Sequence, residues 1–211
     1  MDDITLDNFP HRFIANTRRQ ISRYAKHGDA TKMNECIKKV NSYRNVYKEV
    51  ILYGGLQRNF KESDPFFAIH DAFKGAFLGK QTQIIDHLIA KRKANLYTAR
   101  HIAIEQGNLW AFTYLLGFRP FQLHKQLLAS ARYGKLKISK LIASKIPKSH
   151  HFIFFRALIM AIPRNHFQSV SFFVKRANLN EESFERCLSL AKRYNHTKII
   201  HFLERYISEV V

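Results

Sequence analysis

Ala94-Asn95-Leu96-Tyr97-Thr98-Ala99-Arg100-His101-Ile102-Ala103, followed by Gly107-Asn108 and the apolar set Leu109, Ala111, Phe112, Tyr114, Leu115 and Leu116, is the stretch that decides the fold. It reads as a helix with small residues near its end, a turn at Gly107, and a second helix striped with apolar side chains. The two helices face each other across the turn and leave one apolar face that neither can bury alone.

The same template recurs with the turn residue as anchor. Around Gly134 come Ser130, Ala131, then Leu136, Ile138, Leu141 and Ile142; around Asn165 come Ala161, Ile162, then Phe167, Val170, Phe172, Phe173 and Val174. Asn195 is preceded by Ala191 and followed by Ile199, Ile200, Phe202 and Leu203. Lys80 stands between Ala76, Phe77 and the run Ile84, Ile85, Leu88, Ile89, and Gly28 heads a poorer copy with Ala25, Met33, Cys36 and Ile37. A recurrence of about 30 residues is the mark of a repeat stack. The interval from residue 28 to residue 80 is about two such steps, which points to a seventh, decayed unit near Gly54 and Gly55.

The anchor residues have a conformational reason. A turn between antiparallel helices commonly needs positive φ, which Gly adopts freely and Asn tolerates best among the others. Lys80 departs from this, and the adjacent Gly79 is expected to take the turn in its place. Alanines three and four residues before each anchor are expected to let successive first helices approach closely.

Here the chain resembles the ankyrin-repeat family. Residues 94–116 are similar to one full unit, with Thr98, His101, Ala103, Gly107, Asn108, Leu115 and Leu116 in the family's marked places, and Ala177-Asn178-Leu179-Asn180 looks like its linker. The resemblance implies an all-α, ankyrin-like helical solenoid of about six to seven helix-turn-helix repeats. The family's Thr-Pro-Leu-His opening survives only as Thr98-Ala99-Arg100-His101, and the units are short, so the β-hairpins are expected to be shortened or absent. The organisation expected is one repeat domain over 1–211: a cap at 1–19, decayed repeats at 20–90, clear basic repeats at 91–180 and a capping repeat at 181–211. Degenerate units of this style resemble those of host-directed proteins from large DNA viruses and intracellular bacteria.

Charge is distributed unevenly. Between Glu105 and Glu181 no Asp or Glu occurs, while that stretch holds Arg119, Lys125, Arg132, Lys135, Lys137, Lys140, Lys145, Lys148, Arg156, Arg164, Lys175 and Arg176. More than half of the net charge of +19 lies there. A face that only keeps a protein soluble normally mixes signs, so a localised excess points to an anionic partner. Cys36 and Cys187 are far apart with no metal-ligand spacing, as in a reducing compartment. The start, MDDITLDNF, lacks a basic segment followed by an apolar one, and Phe152 to Ile162 is short and interrupted by Arg156. The expectation is a soluble intracellular protein, cytoplasmic or nuclear.

The resemblance implies a binding scaffold whose first helices and loops form the recognition face. The residues just before the anchors include Lys26, Arg132-Tyr133, Arg164 and Arg193-Tyr194. These are the expected partner-binding residues, a column of guanidinium groups beside aromatic rings. Cations at helix ends also satisfy the helix dipole, which explains any one of them singly. A second basic patch comprises Lys135, Lys137, Lys140, Lys145, Lys148, Lys175 and Arg176, for which an ordinary solvated helix face is the simpler account. Trp110 occupies the place of Lys137 in its unit, where packing is the commoner role and an exposed contact the alternative.

No metal-binding HExxH, phosphate-binding Gly loop or Gly-x-Ser-x-Gly is present, and His150-His151 beside Lys148 lacks nearby carboxylates or thiols. The reading is therefore non-enzymatic, with no cofactor, metal or catalytic residue. The leading expectation is a protein-interaction module gripping an acidic partner. The alternative is a nucleic-acid-binding protein using the basic repeats 106–180, while an anionic membrane surface fits less well for want of an amphipathic anchor.

Overall fold

A computed structural model of the chain describes residues 9–54, 65–90, 94–118 and 122–210. Its helices are α1 (Phe9–His27), α2 (Ala30–Gly54), α3 (Pro65–Gly79), α4 (Thr82–Ala90), α5 (Leu96–Gln106), α6 (Leu109–Leu116), α7 (Leu123–Arg132), α8 (Leu136–Ala143), α9 (His151–Ala161), α10 (Phe167–Ala177), α11 (Glu181–Arg193) and α12 (Thr197–Val210). A 3-10 turn, Ile162–Arg164, continues α9. Among the described residues there is no strand, and the chain is all-α.

All six anchors have left-handed backbones: Gly28 (φ 79°), Lys80 (52°), Gly107 (69°), Gly134 (65°), Asn165 (57°) and Asn195 (55°). At each, the anchor N–H donates to the carbonyl three residues back, as from Gly107 to Ile104 at 2.8 Å and from Asn195 to Lys192 at 3.0 Å. At 28, 80, 134, 165 and 195 the next N–H donates to the carbonyl four residues before the anchor, for example Lys135 to Ser130 at 2.9 Å. This paired pattern satisfies the carbonyls that a helix end would otherwise leave open. Lys80 itself carries the turn, and Gly79 does not replace it. Gly79 has a different duty, and so does Gly75.

Contacts divide the chain into two compact units, residues 1–103 and 104–211, with the boundary inside α5. In the first unit, α1 packs directly on α3. A Cβ built on Gly75 or Gly79 would overlap the carbonyl of Ser22 or Lys26 respectively, so two glycines one turn apart seat α3 against the α1 backbone. Such proximity forfeits helix propensity at both positions and gains backbone contact. Arg18 Nε donates to Asp71 Oδ2 at 2.6 Å across the same helix pair. Burial alone would raise the Asp71 pKa, but His70 and Arg18, through hydrogen bonding and charge, outweigh it and hold the carboxyl below its usual range. Among the described residues α1 and α3 are neighbours, with no further helical hairpin between them. The interval holds the 25-residue α2, which ends at Gly54, while Gly55 and the rest of 55–64 lie outside the described residues.

In the second unit the first helices α7, α9 and α11 pack in succession, and so do the second helices α6, α8, α10 and α12. This makes a repeat-like, two-layered stack of helical hairpins. The alanines before the anchors are core residues: Ala25, Ala76, Ala103, Ala131, Ala161 and Ala191 are all fully buried. Phe112, Phe154 and Phe173 supply bulk to the second unit's core, and Phe73 and Phe77 to the first unit's. Among the described residues no helix is long and apolar enough to cross a membrane.

Candidate binding surface

The residue after each anchor proves more informative than the anchor. Gln81 crosses to the preceding turn, where its Nε2 donates to the Lys26 carbonyl at 3.2 Å and its amide covers Gly28. His166 does the same in the second unit: Nε2 lies 3.0 Å from the Arg132 carbonyl, and the ring covers Gly134. Since a carbonyl only accepts, the imidazole must carry its proton on Nε2. Lys135 lays its aliphatic stem over Gly107, with Cδ 3.1 Å from where a Cβ would stand. Positive φ favours glycine at 28, 107 and 134, and at 134 the His166 ring also leaves no room for a Cβ.

Where the following residue is Asp29 or Asn108, it caps its own helix instead, accepting from the N–H of Lys32 or Ala111 at 3.0 Å. His196 also departs from the crossing pattern. It follows the bulkier anchor Asn195, stacks on Tyr194 at 6.0 Å between ring centroids, and leaves its Nε2 without a hydrogen bond.

The crossing fixes the partner-binding candidates. Arg132 ends α7, Arg193 ends α11, and Arg164 ends the 3-10 turn after α9, so all three sit at the same end of successive first helices. All three are exposed, and none has a carboxylate partner among the described residues. One correction applies to their register. Pro163 takes the place of Arg132 and Arg193, so Arg164 stands one residue later, where the other units carry Tyr133 and Tyr194. Pro163 lies in the 3-10 turn that continues α9, of which Arg164 is the last residue. Tyr133 is half-buried, whereas Tyr194 is 48% exposed. Lys26 ends α1 in the first unit, also exposed, with its carbonyl engaged by Gln81.

The second patch divides. Lys137 and Lys140 are exposed on α8, flanked by the buried Ile138 and the half-buried Leu136 and Leu141. Lys145 and Lys148 are exposed in the loop that follows, and Lys175 and Arg176 in the last turn of α10. Lys135 is half-buried against Gly107. The Arg176 guanidinium lies 4.2 Å and the Lys140 ammonium 6.0 Å from the Phe172 ring centre, so α8 and α10 share one cation-aromatic cluster. Lys198 similarly covers Phe167 at 4.4 Å. Trp110 is not an exposed contact: it is half-buried and stacks on Tyr114 at 5.7 Å.

His151 opens α9, and its Nδ1 donates to the Arg176 carbonyl at 3.0 Å, while His150 lies beside His124 with ring centres 5.9 Å apart. Among the described residues no group of three or more His, Cys, Asp or Glu is placed to hold a metal ion. Comparison with protein-family profiles, curated proteins and solved structures gives no match to this chain.

Proposed function

We propose that the chain is a non-enzymatic, ankyrin-like binding module whose second unit grips an acidic protein segment. One observation carries this reading. Arg132, Arg164 and Arg193 project from the ends of three successive helices, exposed and without carboxylate partners among the described residues, within a sequence that has no acid from 106 to 180. Guanidinium groups bind carboxylates in a bidentate fork, and unpaired cations in a row cost self-repulsion that an anionic partner removes.

The aromatic side chains favour protein over nucleic acid as partner. Nonspecific single-strand binding uses ring faces as stacking platforms. Here Phe172 is covered by Arg176, Phe167 by Lys198, and Tyr194 stacks on His196. Cations beside helix ends, with the rings nearest them engaged in these contacts, suit carboxylates better than bases.

The test compares two charge-reversed triples, R132E/R164E/R193E and K137E/K140E/K145E, against a poly-glutamate peptide and a mixed-sequence single-stranded oligonucleotide. The arginine triple should weaken peptide binding at least about tenfold more than the lysine triple, with unchanged helical content. Equal losses would reduce the effect to net charge. Tighter binding of the oligonucleotide than of the peptide, with a steep salt slope, would establish the nucleic-acid alternative instead.

A further inference from the structure

At the opposite end of α9 and α11 from the arginine row lies a cavity of about 610 Å³, a size typical of small-molecule sites. It is bounded by the start of α9, the end of α10, the linker at 178–180, the start of α11 and the end of α12. Enclosure by several elements suits a compact ligand more than an extended chain running along the stack.

Its lining is chemically mixed. Phe154, Val174 and Phe184 are buried core residues that reach the cavity, joined by the half-buried Leu179, Tyr206 and Ile207. The lining also includes the exposed Lys148 and Lys175, together with Asn178 and His151. Arg176 is engaged elsewhere, with its guanidinium over Phe172 and its carbonyl accepting from His151. Among the described residues the one carboxylate that lines the cavity is Glu181. It sits in the first turn of α11, where the helix dipole stabilises it, and two lysines leave the rim with an excess of positive charge.

The walls are preorganised. Asn178 holds a left-handed backbone (φ 45°) that turns the chain out of α10. Asn180 caps α11 by accepting from the Ser183 N–H at 3.0 Å. The His151 bond to the Arg176 carbonyl ties α9 to α10 at the rim. A ligand meeting such a site forfeits little ordering entropy from the protein.

We propose that this cavity binds an oxyanion carried on an apolar body, a medium-chain carboxylate or the corresponding organophosphate. The apolar part lies against Phe154, Leu179, Phe184 and Ile207, and the oxyanion is held between Lys148 and Lys175. The site is distinct from the arginine row and does not depend on the acidic-partner reading.

Calorimetric titration of the full chain with octanoate and with octyl phosphate tests it, with acetate, inorganic phosphate and 1-octanol as comparisons. Octanoate or octyl phosphate should bind with one saturable site, and the one that binds more tightly identifies carboxylate or phosphate as the preferred head. The comparison compounds should bind at least about tenfold more weakly, since each lacks either the charge or the apolar surface. K148E/K175E should weaken binding about tenfold or more, Glu181→Gln should strengthen it, and R132E/R164E/R193E should leave it unchanged. Ile207→Trp, which fills the cavity from its partly exposed edge, should abolish binding while the thermal melt stays cooperative. Failure of both amphiphiles to saturate, multiple weak sites, or binding unaffected by K148E/K175E would overturn the proposal.

Discussion

His166 donates through Nε2 to the carbonyl of Arg132, 34 residues earlier, and its ring lies over Gly134. Gln81 makes the same bond to Lys26 over Gly28 in the other unit. The bond satisfies a helix-end carbonyl and locks two turns together at the positions where the candidate arginines emerge. His166→Ala should therefore cost about 0.5–1.5 kcal/mol, the usual net value of a hydrogen bond, whereas His166→Gln should restore most of it by copying Gln81. Chemical denaturation of the three proteins decides this. Equal stabilities for the Ala and Gln variants would show that only the ring's packing matters.

Gly75 and Gly79 sit inside α3, where alanine would ordinarily stabilise a helix by about 1 kcal/mol. The α1 carbonyls of Ser22 and Lys26 occupy the space a Cβ would need. Gly75→Ala and Gly79→Ala should each instead destabilise by about 1–3 kcal/mol through forced separation of α1 from α3. A gain in melting temperature for either would mean that the two helices are not held at this distance.

How much of this was legible in the sequence follows from where each signal resides. The Gly and Asn anchors could be read because a left-handed backbone selects the residue itself, and the buried alanines because their spacing repeats. Lys80 could be read as an anchor from the apolar pattern around it, against lysine's own preference, whereas Gly79 beside it answers to α1, 53 residues away in sequence. The carbonyls to which Gln81 and His166 cross were not legible, because they depend on which turns become neighbours. The arginine row was legible as charge, and so was the one-residue offset of Arg164, because Pro163 stands where the other units carry Arg132 and Arg193. The cavity is assembled from the ends of α9, α10, α11 and α12, so no single stretch of sequence announces it.

Lys80 is also a place to gain stability. It holds φ 52° at an exposed helix end, a conformation that opposes its Cβ to the following carbonyl. Lys80→Gly should stabilise by about 0.5–1 kcal/mol, after allowance for the greater freedom of glycine in the unfolded chain. Asn165→Gly should gain less, because asparagine tolerates this region better. An unchanged or lower denaturation midpoint for Lys80→Gly would show that the strain is offset by contacts of the lysine stem.

Asp71 gives the first unit a defined response to acid. Its folded pKa is lowered, so its contribution to stability is present above the unfolded carboxyl value of about 3.9 and is lost as pH falls through the folded value. Arg18→Met removes the ion pair and should cost about 1–3 kcal/mol near neutrality, between the values for surface and buried pairs. The difference between parent and variant should shrink as pH falls from about 7 to about 2.5, because protonation of Asp71 dissolves the pair in the parent, leaving it no better paired than the variant. A difference that stays constant over that range would assign the effect to packing of the arginine stem.

The two cysteines report separately on the two units. Burial pushes the Cys187 thiol up to about 12, and no part of the residue is exposed; Cys36 is raised as well, chiefly by burial, but retains 5% exposure beside Lys39, whose charge acts to lower it. Only the thiolate attacks an alkylating agent, so at pH 8 a folded Cys187 would present a reactive fraction on the order of 10⁻⁴. Reaction there must proceed through opening of α11, whereas Cys36 needs only a local fluctuation of α2. In the single-cysteine proteins Cys36→Ala and Cys187→Ala, iodoacetamide should label Cys36 at least about tenfold faster than Cys187 in native buffer. In denaturant above the unfolding transition the rates should converge, since both thiols then share the ordinary cysteine pKa. Equal native rates would mean that both sites are reached only by unfolding of the whole chain, and that the tighter burial of Cys187 gives it no protection of its own.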